Sequence, residues 1–105
     1  VKNYSVSLKV NGQEIELSGF PRDFVARTAA GAATSLRGVN EVNSLEMSLK
    51  FGKVKLSVNG ERVGLIQFPN LILASTFIGM LKALNGVEGE VRAAELKLAA
   101  EQSSA

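Results

Sequence analysis

Tyr4, Val6, Leu8 and Val10 alternate with Ser5, Ser7, Lys9 and Asn11. Successive side chains of a strand point to opposite faces, so this period of two predicts a half-buried strand. Asn11-Gly12 follows, and both residues tolerate the positive φ that a tight two-residue hairpin turn requires. The return strand places Ile15 and Leu17 on the apolar face and Glu14, Glu16 and Ser18 on the polar one. Phe20-Pro21 then opens a helix, because the N–H that proline lacks has no partner in a first turn. The helix is expected to run to about Leu36 and to close at Arg37-Gly38-Val39, with the glycine in the left-handed region. A third strand puts Leu45, Met47, Leu49 and Phe51 on one face and Ser44, Glu46, Ser48 and Lys50 on the other.

The same order of elements then recurs. Residues 8–39 align without a gap with residues 56–87 at an offset of 48, and 13 of the 32 pairs are identical. Among them are Asn11/Asn59, Gly12/Gly60, Phe20/Phe68, Pro21/Pro69, Gly31/Gly79 and Gly38/Gly86. Beyond that the second copy gains one residue, so that Glu46 and Leu49 realign with Glu95 and Leu98. A repeat constrains architecture before any single residue does. Only Phe51-Gly52-Lys53 separates the third strand from the fourth, so those two must run antiparallel. The expected fold is α+β, a tandem duplication of a β-β-α-β unit. Six mostly antiparallel strands would carry two helices on their apolar face. One domain would span 1–105, as repeats of about 4–52 and 53–100, with 101–105 a frayed tail.

The helices are where the copies differ. Gly31 and Gly79 fall in mid-helix, where glycine costs about 1 kcal/mol relative to alanine. A close crossing of the two helices on a pseudo-twofold axis accounts for both. Helix one is expected to expose Asp23, Arg27, Ala30, Thr34 and Arg37, and the matching residues of helix two are Leu71, Ser75, Ile78, Lys82 and Asn85. Helix two is thus apolar nearly all round, a pattern that calls for cover on every side. The expected contact surface is Leu71, Ser75, Ile78 and Lys82, covered by a second copy in a dimer or by another protein partner.

Composition narrows the chemistry. The formal net charge is +2, and each half of the chain (1–52 and 53–105) carries six basic and five acidic residues, so neither half is a dedicated polyanion binder. Cysteine and histidine are absent, which removes thiolate chemistry, the commonest general base and the commonest neutral metal ligand. The longest apolar stretch, 71–84, falls short of the roughly 20 residues a membrane helix needs, and 1–10 lacks a secretory pattern. A soluble, cytoplasmic protein without membrane contact is expected. Glu14 and Glu16 share a strand face, but a solvated face explains them, and no cluster of oxygens or glycine-rich phosphate loop accompanies them. No catalytic, metal or cofactor site is expected, and the chain reads as a non-enzymatic interaction or scaffold protein. The alternative is a nucleic-acid-binding module using the hairpin Lys50-Phe51-Gly52-Lys53-Val54-Lys55 and the polar sheet face. There Lys50, Lys53 and Lys55 would meet phosphates and Phe51 would stack on a base.

Overall fold

The computed structural model describes residues 3–36, 38–65 and 67–101. Arg37 and the tail 102–105 lie outside the described residues, as does the side chain of Phe68. The elements in chain order are β1 (Tyr4–Val10), β2 (Gln13–Ile15), α1 (Gly19–Thr34), β3 (Ser44–Lys50), β4 (Lys53–Val58), β5 (Glu61–Val63), α2 (Gln67–Lys82) and β6 (Ala93–Ala100). They form the expected α+β class, a six-stranded antiparallel sheet with two helices packed on its apolar face.

The strand order is β2-β1-β6-β3-β4-β5. Each hairpin is completed by a strand from the other half of the chain: β1 pairs with β6, and β4 pairs with β3. The central seam joins β3 to β6 from Ser44↔Ala99 to Lys50↔Ala93. Leu8 stands opposite Ile15 on one side and Leu96 on the other. Leu56 stands in the same way between Val63 and Met47. Met47 and Leu96 face each other at the seam. The register is therefore pseudo-twofold about an axis between β3 and β6.

Alternation along the strands sends one side-chain set inward. Leu8, Val10, Leu45, Met47, Leu49, Val54, Leu56, Val58, Ala94, Leu96 and Leu98 are all buried. Helix α1 covers them with Val25, Ala26, Ala29 and Ala33, and α2 with Leu73, Ala74, Phe77 and Leu81. The two sets are related by the offset of 48 residues, one helical stripe each. The bulk is unequal: alanine at 29 and 33 in α1 answers to phenylalanine at 77 and leucine at 81 in α2. A fully buried side chain of the size of Leu81 or Phe77 stabilises by roughly 1.5–3 kcal/mol relative to exposure.

The expected helix crossing at the glycines is not there. Gly31 and Gly79 both face solvent, and a Cβ built on either meets nothing within 4 Å. The small residues that thin α1 at Ala26, Ala29 and Ala33 lie on its buried side. The edge strands are also shorter than the alternation suggested. β2 and β5 stop after three residues, and Leu17 and Leu65 lie beyond them, half-buried. From there the chain must climb from the sheet to the helix layer. β6 starts at Ala93, and Val91 is buried just ahead of it.

Candidate functional site

The identical asparagines of the two hairpin turns, Asn11 and Asn59, hold the scaffold. Asn11 (φ +51°) and Asn59 (φ +54°) take the left-handed region, each followed by a glycine. Their side chains do more than permit the turn. The Asn59 Oδ1 accepts from the Asn43 and Ser44 N–H groups at 2.7 and 3.1 Å, while its Nδ2 donates to the Glu41 carbonyl at 2.7 Å. The Asn11 Oδ1 likewise accepts from the Arg92 and Ala93 N–H groups at 2.8 and 3.0 Å, and its Nδ2 donates to the Glu90 carbonyl at 2.8 Å. Each asparagine thus fixes the entry into the central strand of the opposite half. The turn is legible in the sequence but this second use is not, since the partners lie in the other half of the chain.

Three surfaces remain. The first is the helix layer, away from the sheet. Its exposed stripe on α1 runs through Phe20, Phe24, Arg27 and Gly31. Phe20 is 78% exposed and Phe24 49%, and their rings stack with centroids 5.7 Å apart. The expected polar outer face of α1 is corrected accordingly: Asp23 and Ala30 are half-buried, because the core stripe is rotated towards Val25 and Ala29. On α2 the exposed stripe includes Leu71 (59%) and Ile72 (48%), with Ser75 and Lys82 also exposed. Ile78, expected outside with them, is half-buried and packs against the core. Ile72, two turns before Gly79, occupies the outward position instead. The sequence does not mark Phe20, Phe24 and Ile72 as outward, because core and outer stripes of an alanine-rich or all-apolar helix look alike.

The second surface is the polar sheet face. Ser5, Ser7, Ser44, Glu46, Ser57 and Lys97 line a shallow, open depression of about 510 Å³ there. Charge on this face is balanced across strands: Lys9 stands opposite Glu14 and Glu95, and Lys97 opposite Glu46. Arg62 stands opposite Ser57. Glu14 is on β2, while Glu16 lies past its end, so the two do not share a strand. Among the described residues, no group of three or more acidic, histidine or cysteine side chains is placed to hold a metal ion.

The third surface is the tip of the β3–β4 hairpin. Phe51 and Gly52 form the turn, with φ of +48° and +80°. The Phe51 ring is 77% exposed. Lys50 stands directly opposite Lys53, and Lys55 opposite Ser48. Among the described residues the ion pair is Arg22 with Asp23 at 3.4 Å, and none involves these lysines. The tip is tied to α2, whose Asn70 accepts from the Val54 N–H at 2.8 Å and donates to the Gly52 carbonyl at 2.9 Å. The four hairpin residues singled out in the sequence are therefore brought together at one end of the sheet. No helix among the described residues is long and apolar enough to cross a membrane. Compared with known proteins, the chain matches no protein family, no curated protein and no solved structure.

Proposed function

We propose that the protein is a non-enzymatic association module that pairs with a second copy of itself through its helix layer. The observation that carries this reading is the placement of large apolar side chains. Of the five exposed among the described residues, Phe20, Phe24, Leu71 and Ile72 project from the two helices. The molecule has two layers and measures 43 × 32 × 18 Å, so no other element among the described residues is left to cover them. Contiguous apolar patches are uncommon on monomers and mark interaction sites.

The choice of a second copy follows from the pseudo-symmetry. α1 lies over β1 and α2 over β4, and two other strands separate β1 from β4. The two helices thus lie on either side of the pseudo-twofold axis, each with exposed apolar groups near its start. A face carrying two similar patches around a twofold direction is suited to self-complementary packing, the commonest way proteins pair. The shared register and the 48-residue offset further support descent from one duplicated β-β-α-β unit, with the contact residues free to diverge.

Sedimentation at micromolar concentration tests the reading with Phe24→Glu/Ile72→Glu beside the natural chain. A dimer for the natural chain and a folded monomer for the double variant is the expected result. A natural chain that stays monomeric throughout removes self-association.

A further inference from the structure

The hairpin tip breaks several rules of local stability at once, and the molecule supplies its own controls. Its three two-residue turns all place a residue of positive φ before a glycine. Two use asparagine, one of the few residues that tolerate this region. The third uses Phe51, although a bulky side chain at positive φ is an outlier. Lys50 and Lys53 face each other across the same turn, and like charges in directly opposed positions repel. The Phe51 ring also stays in water, so no burial offsets the strain. Strain retained at one place, where the same chain has a ready alternative twice over, points to a use for that place.

We propose that this tip binds short single-stranded nucleic acid, with a base stacked on Phe51 and phosphates on Lys50, Lys53 and Lys55. The proposal is independent of pairing through the helix layer, which is on the other face of the sheet. Lys53 and Lys55 are two apart on β4 and so roughly 6.6 Å apart along one face. A stretched phosphodiester backbone can follow that spacing. Elsewhere on this face, acids stand opposite Lys9 and Lys97, but the residues opposite Lys50, Lys53 and Lys55 carry no negative charge. Next to them, Lys9, Ser48, Lys50, Ala93 and Glu95 line a small open depression of about 220 Å³, and Glu95 stands opposite Lys9. Lys50 and Lys53 flank the turn, and Lys55 is set back by two residues along the broad sheet face. A flexible chain turning over the tip reaches all three; a flat anionic membrane touching the tip does not reach Lys55.

The test uses a fluorescent oligothymidylate of about 12 nucleotides, long enough for a minimal single-strand site. Binding at about 50 mM salt is expected to weaken on a log–log plot with a slope of about −2, as three phosphate contacts on a single strand require. Lys50→Ser/Lys53→Ser/Lys55→Ser should abolish binding. Phe51→Asn should weaken it about tenfold, the effect of one lost stacking partner, while the folded chain becomes more stable rather than less. Absence of binding at this salt overturns the proposal. So does a Phe51→Asn chain that binds as well as the natural one. Vesicles containing phosphatidylserine are the competing surface: if they bind the chain and the oligonucleotide does not, the site is for lipid and the proposal fails.

Discussion

At the scale of single residues, the turn positions separate structure from use. Asn11 and Asn59 each serve twice, once through the backbone and once through an amide that accepts from two N–H groups and donates to a carbonyl. Replacing Asn59 by glycine keeps the turn conformation and removes only the second role. A net intramolecular hydrogen bond is worth about 1 kcal/mol. Asn59→Gly should therefore lower stability by about 1–3 kcal/mol, seen as a lower urea midpoint with an unchanged slope. Asn11→Gly should cost a similar amount, since its bonds are equivalent. Phe51→Asn should go the other way. Relieving a bulky residue of the left-handed region gains about 1 kcal/mol, read as a higher midpoint in the same titration. The Asn-Gly turns were legible in the sequence because turn type dictates residue type locally. The strain at Phe51 was not: its place in the alternation made it look like one more core position, and only the positive φ shows otherwise.

At the scale of elements, each strand was legible and each helix only half so. Strand alternation has a period of two, so Leu45, Met47 and Leu49 could belong to one face only. A helix in which alanine, glycine or leucine occupies most positions gives no such contrast. The buried stripe of α1 is drawn by Val25, Ala26, Ala29 and Ala33, and Phe24 beside it is half exposed. Size alone would have put Phe24 inside. The two mid-helix glycines follow from the same correction. With open space where a Cβ would stand, Gly31→Ala and Gly79→Ala each remove backbone freedom from the unfolded chain without a clash. Each should raise stability by roughly 0.5–1 kcal/mol. Thermal melts of dilute protein, where the helix layer is unpaired, are the measurement. A loss of stability in either variant would mean that something does approach that face in the folded monomer.

At the scale of the whole molecule, the strand order decides what can fold alone. Neither half owns a complete sheet. β1 and β2 lean on β6, β4 and β5 lean on β3, and the strand pairing across the centre is the β3–β6 seam. This arrangement was not legible in the sequence, because the repeat gives the content of each unit but not which strand lies beside which. Cutting the chain in the β3–β4 turn would leave β3 without either of its neighbours and strip β6 from β1. Two layers of a half this size bury too little apolar surface to offset the loss of chain entropy, and the exposed strand edges have unpaired backbone groups. Fragments 1–51 and 52–105 should each lack a folded monomeric state, and mixing them should restore the sheet as a one-to-one complex. Circular dichroism follows the recovery of strand and helix, and sedimentation gives the stoichiometry. Melting of the reassembled complex should shift with concentration, as it must when folding and association are one step, whereas the intact chain should unfold in a single transition seen alike by both probes. A fragment that folds as a monomer would show that the units are separable domains and that the interleaved sheet is not what holds them together.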